Sequence, residues 1–189
     1  EKDKEKEIML LNKINLDIDY KFYLDADYNQ HSGSCLAHQS TEQKELHDEY
    51  SNFNHPTSYN EHNTVLHQLW FDKDQIDYDD LGKKLGMEVV SVSSILQEPG
   101  QTILLHRDVF YQITKKYPND KRTKVRANIY LEDWKLGHII QYRDTNKEWQ
   151  NSTHWKQGEG FLWDSDIFHT SSNFGLTNKY TLQISGFLL

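Results

Sequence analysis

The chain has 189 residues, of which 36% are hydrophobic, and its formal net charge is −8. This length is enough for one domain with a buried core, and the charge argues against broad nucleic-acid or anionic-membrane binding, although a local basic patch is compatible with it. Cys35 is the only cysteine, no apolar run approaches the ~20 residues that span a bilayer, and the charged start lacks the apolar core of a secretory signal. We therefore expect a soluble, cytoplasmic protein.

The first part of the chain, residues 1–87, carries few structural signals. From Ile14 to Leu24 the apolar side chains fall on even positions, and this alternation predicts a half-buried strand. Residues 64–71 predict another strand. Residues 79–87 predict a short helix with aspartate at its start and Gly86 near its end. We expect these elements to pack outside the main β structure.

Residues 25–63 form a long polar segment that is poor in aliphatic side chains. Such a segment inside a compact domain is usually either a functional loop or disordered. We expect substrate contacts in it, because loops on a rigid scaffold often set specificity. Its histidines lack metal-ligand spacing and are interpreted as surface groups: His31, His38, His47, His55 and His62.

From residue 88 onward the chain consists of short strand-like runs separated by turn residues. The runs are residues 88–96, 101–108, 123–133, 137–144, 160–166, 167–173 and 179–189. Residues 109–122 predict a short helical or looped insert. Many short strands predict a mainly β (α+β) fold, as a sandwich or an open barrel. No repeat or domain boundary is evident, so we expect one domain, 1–189, with residues 1–87 elaborating a core at 88–189.

Two of these strands have one apolar and one polar face, because side chains alternate along a strand. In residues 123–133 the polar face carries Arg126, Asn128 and Tyr130, and in the last strand it carries Lys179, Thr181, Gln183 and Ser185. One interpretation is a sheet whose polar face meets water. In the other, the apolar faces pack against outer helices or a second sheet, and the polar faces line a ligand cavity. Alternation alone does not separate the two.

The stretch QTILLHRDVF places His106 and Asp108 two residues apart, on one face, where an apolar run ends. With one further histidine from a neighbouring strand they would form a facial triad suited to Fe(II), since it leaves the opposite coordination positions open. Three downstream histidines are candidates: His138, His154 and His169. His138 requires a quick return of the chain and His154 lies in a polar loop, so we favour His169, which precedes the last hairpin.

The pattern His106-x-Asp108, then His169, then Lys179 with Thr181 two residues later, resembles the Fe(II)/2-oxoglutarate-dependent dioxygenase superfamily. Within it the chain is similar to the prolyl-hydroxylase-like branch, whose Tyr-Leu-x-Asp stretch resembles IYLEDW at 129–134. The resemblance covers roughly residues 88–189. It implies a double-stranded β-helix, a cupin-like jelly roll, with packing helices.

The resemblance also implies roles for individual side chains. The implied Fe(II) ligands and catalytic centre are His106, Asp108 and His169. The implied contacts to the distal carboxylate of the cosubstrate 2-oxoglutarate are Lys179, Thr181 and Tyr130. Arg126 either binds the cosubstrate or an acidic substrate, or forms a salt bridge at the rim. The remaining neighbours are interpreted as structural (His138 and Trp163) or as turn and supporting groups (Asp164 and Asp166).

By this resemblance the protein is expected to be a dioxygenase that hydroxylates an amino acid, a peptide or a protein side chain and releases succinate and CO2. The carboxylate of Asp108 disfavours halogenation. The expected partners are a small-molecule, peptide or protein substrate, with no nucleic acid and no membrane. Two alternatives stay open: a cupin-like metal- or ligand-binding protein without turnover, and a metal oxygenase that does not use 2-oxoglutarate.

Overall fold

The computed structural model describes residues 10–28, 32–34 and 65–189, which form eleven strands and three helices. The strands are β1 (Leu11–Asn15), β2 (Ser32–Ser34), β3 (Val65–Phe71), β4 (Met87–Gln97), β5 (Thr102–His106), β6 (Lys124–Tyr130), β7 (His138–Arg143), β8 (Trp149–Ser152), β9 (Glu159–Asp164), β10 (His169–Asn173) and β11 (Lys179–Leu188). The helices are α1 (Tyr20–Leu24), α2 (Tyr78–Leu85) and α3 (Tyr111–Lys116).

The strands form two antiparallel sheets, and most strands from β4 onward belong in turn to one sheet and then the other. The large sheet has the order β1-β9-β6-β11-β4-β3-β2, and the small sheet has the order β5-β10-β7-β8. From β4 to β11 the chain passes repeatedly between the sheets, so that, apart from the consecutive pair β7 and β8, the paired strands are distant in sequence. This is the topology of a double-stranded β-helix, or jelly roll, and it confirms the predicted mainly β fold with packing helices.

The outer face of the large sheet buries the apolar positions that strand alternation predicts. The cluster includes Val125, Ala127 and Ile129 of β6, Leu182 and Ile184 of β11, and Tyr23, Leu81 and Leu85 of the helices α1 and α2. Full burial of each such side chain contributes about 1.5–3 kcal/mol. The polar faces of β6 and β11 therefore point towards the small sheet, and the interpretation in which they line an interior is correct.

Two helices form where the sequence predicts them. α2 begins after Asp77, whose carboxylate accepts a hydrogen bond from the Asp80 backbone nitrogen at 2.9 Å, and ends at Gly86 in the left-handed conformation. α3 is the helical insert expected within residues 109–122. Its N-terminal flanking residue, Phe110, is also left-handed (φ 50°), which is unusual for a bulky side chain.

The strand predicted from Ile14 to Leu24 is wrong beyond Asn15. β1 ends there, and α1 follows because the Asp19 carboxylate accepts a hydrogen bond from the Phe22 backbone nitrogen at 3.4 Å and begins a helix. The strand β8 was not expected, since its sequence, WQNS, shows no apolar alternation.

Some expectations lie outside the described residues. They are the five histidines between positions 31 and 62 and most of the polar segment 25–63. No helix within the described ranges is long and apolar enough to cross a membrane. The compartment and the single-domain organisation stay predictions.

Candidate active site

Two histidines of the small sheet face each other across neighbouring strands. His106 at the end of β5 pairs with His169 at the start of β10, and their ring centroids are 4.2 Å apart. The Nδ1 atom of His106 lies 2.7 Å from the carbonyl oxygen of Leu104, and that of His169 lies 3.0 Å from the carbonyl oxygen of Ile167. Because a carbonyl can only accept, both Nδ1 atoms carry the proton, and both Nε2 lone pairs are available to a ligand.

An irregularity in β5 sets the direction of His106. Between the pairs His169–His106 and Ser171–Ile103 the register shifts, so that two residues of β5 lie opposite the single residue Thr170 of β10. An extra residue of this kind is a β-bulge, and bulges redirect side chains next to functional sites. The bulge places His106 on the same inward side as Ile103 and brings it to His169.

Asp108 lies two residues beyond β5 and is 3% exposed. Its Oδ1 accepts a hydrogen bond from the Arg126 guanidinium of β6, and its Oδ2 accepts one from the Trp163 indole of β9 at 2.9 Å. Arg126 is fixed in turn by a 2.9 Å hydrogen bond to Ser185 and by the ring of Phe110, whose centroid lies 5.4 Å from the guanidinium carbon. The large sheet therefore orients the carboxylate, and the small sheet supplies the imidazoles.

The three side chains have the protonation states that a metal site needs. Burial lowers the pKa of His106 and lowers that of His169 to about 3. Burial alone would raise the pKa of Asp108, but Arg126 and the two histidines hold it below its ordinary value. Two neutral imidazoles and one carboxylate anion are therefore present near neutral pH, as metal binding requires.

The separations in this triad suit one ion. The ligand atoms of His106, Asp108 and His169 all lie within 4.8 Å of one another. The Nε2 atoms lie 4.0 Å (His106) and 3.9 Å (His169) from the nearer carboxylate oxygens. Two ligands of one ion can be at most about 4.2 Å apart, which is twice a metal–ligand bond of ~2.1 Å, and both histidine–carboxylate separations lie within this limit. The favoured histidine is therefore the one that the fold brings to His106 and Asp108.

Lys179 at the start of β11 is a buried cation, with an exposed fraction of 2%. Its Nζ donates to Gln97 Oε1 at 3.0 Å and to Ser171 Oγ at 2.6 Å. Burial lowers its pKa to about 7, and no carboxylate among the described residues counteracts that shift. A buried charge without a counterion is costly, so this position is suited to an anion that arrives with a ligand.

Lys179 is connected to the triad through Ser171 of β10. Ser171, which accepts from Lys179, follows His169 by two residues on the inward face of β10. Two residues along a strand span about 6.6 Å. The two carboxylate carbons of a five-carbon diacid are separated by four carbon–carbon bonds and reach about 5 Å. The spacing therefore suits a short dicarboxylate between the triad and Lys179.

The other two predicted cosubstrate contacts lie beside Lys179. Thr181 of β11 is directly paired with Tyr130 of β6, and both are buried. The Tyr130 hydroxyl donates to Ser152 at 3.1 Å, and its ring stacks on Trp155 at 3.9 Å. The Trp155 ring also faces the Lys179 ammonium at 6.0 Å, which makes an aromatic wall for the charge.

Asn128 was placed on the polar face by alternation but was not assigned a role. It lies on β6 between Arg126 and Tyr130, and its side-chain carbonyl accepts from Gln183 at 3.0 Å. Its Nδ2 is buried without a hydrogen-bond partner among the described residues. A buried donor of this kind costs free energy until it meets an acceptor, so Asn128 is suited to donate to a bound carboxylate. The sequence signal that could have identified Asn128 was its amide side chain on the polar face of residues 123–133.

The remaining residues of interest have identifiable positions. His138 is buried at the start of β7 and donates from Nε2 to the Thr177 carbonyl oxygen, and exposed His154 stacks on Trp134. Neither is part of the metal-ligand group formed by the described residues. Asp164 accepts from the backbone of Leu10 and Asp166, consistent with a turn. Gln97, Ser171 and Trp155 were missed, since nothing in their local sequence marks them as partners of Lys179.

A cavity of about 220 Å³ opens next to the triad. Its walls include His106, Asp108 and Arg126, and its mouth includes Trp70 and Tyr111, whose exposed fractions are 43% and 56%. The described lining does not include Lys179. The triad is therefore accessible from a side that Lys179 does not occupy, which leaves separate space for a second molecule.

Among known proteins, the chain has matches in solved structures. No family model matches the chain, and no curated protein matches it. Among solved structures, a Pseudomonas putida prolyl-4-hydroxylase matches with 18% identity over 66% of this chain and 72% of that chain (TM-score 0.48). A viral collagen prolyl hydroxylase from Paramecium Bursaria Chlorella virus-1 matches with 16% identity over 66% and 80% (TM-score 0.48). A predicted oxalate decarboxylase from Thermotoga maritima matches with 13% identity over 66% and 82% (TM-score 0.40).

Proposed function

We propose that the protein is an Fe(II)- and 2-oxoglutarate-dependent dioxygenase that hydroxylates an amino acid, peptide or protein side chain. The observation that carries the proposal is the buried Lys179 ammonium, which has no carboxylate partner among the described residues and donates to Ser171, two residues along β10 from the metal-ligand candidate His169. A metal-binding protein without a diacid cosubstrate has no use for this charge.

The side chains have distinct tasks in this proposal. His106, Asp108 and His169 hold Fe(II), and Arg126 and Trp163 orient the carboxylate. Lys179 binds the distal carboxylate of 2-oxoglutarate, with Thr181 and Tyr130 beside it. When bound, the metal and cosubstrate would supply the oxidising chemistry, in which one oxygen atom of O2 would enter the substrate C–H bond and the other would enter succinate as 2-oxoglutarate lost CO2. Asn128 donates its free amide hydrogen to the cosubstrate.

Succinate formation tests the proposal. Full-length protein loaded with Fe(II) is given 2-oxoglutarate, oxygen and mixtures of amino acids and peptides, and succinate is measured. We expect Fe(II)-dependent succinate formation, and an apparent 2-oxoglutarate requirement raised at least ~10-fold in Lys179→Met, since hydrogen bonds to charged groups contribute about 1.5–3 kcal/mol. Lys83→Met, at an exposed lysine of α2, is the matched control and is expected to behave as the unchanged protein.

The same experiment separates the alternatives. A metal oxygenase that does not use 2-oxoglutarate would consume oxygen equally with methionine at position 179. A cupin-like binder would take up metal and form no succinate. Lys179→Met should not lower the melting temperature, because it removes a buried charge without a counterion, so a loss of turnover is not explained by unfolding.

A further inference from the structure

The charges of the chain are unevenly distributed around the candidate active site. Residues 107–126 contain seven lysines and arginines and two aspartates, a net charge of +5, whereas the whole chain has −8. The other residues therefore carry −13. Residues 107–126 run from the triad through α3 to β6, so the positive segment borders the cavity at the triad.

Several of these cations are available to a ligand. Lys115 and Lys116 at the end of α3 are exposed, and Lys124 lies against that helix through a 2.8 Å hydrogen bond to Thr114. No carboxylate of the described residues makes an ion pair with these three lysines. Arg122 differs, because it is paired with both Glu88 and Asp120.

A groove connects the triad to this cluster. The 220 Å³ cavity at the triad shares Trp70, Ser91 and Gln112 with an adjoining depression of about 530 Å³. That depression is bordered by Lys115 and Lys116. From Gln112 to Lys116 the helix advances about 6 Å. This advance equals about two residues of an extended peptide.

The lining of the groove suits a peptide segment better than a free amino acid. Besides aromatic and aliphatic groups and the cations Arg107 and Arg126, the described lining offers neutral amides and hydroxyls, such as those of Gln68 and Ser91. The single carboxylate in the described lining is Asp108, which belongs to the metal group and to Arg126. A free α-ammonium group would therefore have no counterion, whereas neutral peptide amides would find donors and acceptors.

We propose that this groove binds an acidic peptide segment, with Lys115 and Lys116 contacting a carboxylate two to four residues from the residue that enters the cavity. The identity of the reacting residue rests on the proposed function, but binding of the peptide does not depend on turnover. A nucleic acid fits less well, since the remaining chain carries −13 and would repel an extended phosphate backbone.

Binding of matched peptides tests the inference. Two mixtures of fluorescein-labelled decapeptides share the same degenerate neutral positions and carry either three glutamates or three glutamines at one end. Fluorescence anisotropy with the full chain is expected to show at least fivefold tighter binding of the glutamate mixture. Raising the salt concentration should reduce the difference, because exposed charge pairs are screened.

Variants locate the interaction. The double variant Lys115→Gln/Lys116→Gln should lose about three- to tenfold in affinity for the glutamate mixture, as expected for two exposed charge pairs. Lys13→Gln/Lys83→Gln, at two exposed lysines outside the groove, should retain it. Equal binding of both mixtures, no binding, or no effect of the double variant would overturn the inference. If a labelled single-stranded dT10 oligonucleotide bound more tightly than the glutamate mixture, the choice of a peptide would be overturned. Failure of succinate formation alone would contradict the proposed function and leave this binding result unchanged.

Discussion

Lys179 combines two properties that oppose each other in the ligand-free protein. Its burial between the sheets disfavours the charged form, and its hydrogen bonds to Gln97 and Ser171 do not supply a negative charge. A dianionic cosubstrate would supply that charge and favour the protonated amine. Binding of the cosubstrate should therefore be linked to proton uptake.

Cosubstrate affinity is expected to weaken as pH rises above neutrality. The pKa of Lys179 is lowered by burial to about 7, so the amine is charged below this pH and increasingly neutral above it. Because the dianion needs the ammonium, the Kd for 2-oxoglutarate should rise by up to about tenfold per pH unit between pH 7.5 and 9. Burial, with the charge of Lys179, lowers the pKa of His138, so His138 stays neutral in this range. Calorimetric titration without oxygen measures the effect.

Lys179→Arg is the control for this pH dependence. A guanidinium stays charged over the whole range, so its affinity, whatever its absolute value, should be flat with pH. The same linkage acts on the ligand-free fold. The unfolded chain keeps the Lys179 proton up to about pH 10.5, whereas the ligand-free folded chain releases it near pH 7. Burial of the charged amine therefore lowers the free energy of unfolding at low pH, and this loss is recovered as the pH rises from 7 to 10.5. A flat Kd in the unchanged protein would contradict the assignment of Lys179.

Trp163 is expected to tune metal affinity through Asp108. Trp163→Phe keeps an aromatic ring but removes the 2.9 Å hydrogen bond to the carboxylate. Loss of such an outer contact typically lowers metal affinity 10- to 100-fold, so we expect at least ~10-fold for Fe(II) or Mn(II) in competition titrations. Trp134→Phe also removes one indole hydrogen bond, to the His138 carbonyl, and should leave metal affinity unchanged. Equal affinities in both variants would show that Trp163 only fills space.

The strands β6 and β9 meet so closely that only glycine fits at one position. A Cβ atom at Gly160 of β9 would collide with the backbone carbonyl of Asn128 on β6. This contact holds the β6 backbone at Asn128 close to β9, and Arg126 and Tyr130 belong to the same strand. The positions of the inward-facing polar side chains of β6 thus depend on the close backbone contact between Gly160 and Asn128.

Gly160→Ala is expected to destabilise the protein by about 3 kcal/mol or more, because the collision is with backbone and cannot be relieved by a rotamer change. For a chain of this size that corresponds to a fall in melting temperature of roughly 6–12 °C. Gly100→Ala is the control: its φ is +86° but no atom lies within 4 Å of the added Cβ, so only about 1 kcal/mol is expected. Similar melting temperatures for the two variants would contradict the steric account.

Local sequence patterns predicted most elements from residue 88 onward and the candidate triad, but not α1, β8 or the surroundings of Lys179. The spacing of His106 and Asp108 and the alternation in β6 are short-range features, whereas His169 was favoured for its place before the last hairpin. The partners of Lys179 are not local, since Gln97 lies 82 residues away in sequence, and only the pairing of β4 with β11 brings them together. Alternation misled at Ile14–Leu24 because a capping aspartate, Asp19, overrode it.

Two sheets meeting at one ligand site should make the stability of the whole fold depend on that site. The small sheet supplies the imidazoles, the large sheet supplies Lys179 and the orientation of Asp108, and a bound metal and diacid would link them. A ligand at 100 times its Kd stabilises the native state by about 2.7 kcal/mol. We therefore expect the melting temperature to rise by roughly 5–10 °C with Mn(II) and 2-oxoglutarate together, and by less with either alone. Asp108→Ala should abolish the increase from Mn(II), and Lys179→Met should abolish the further increase from 2-oxoglutarate. An unchanged melting temperature in the unaltered protein with saturating Mn(II) would contradict the metal site itself, because an ion held between the sheets must stabilise their association.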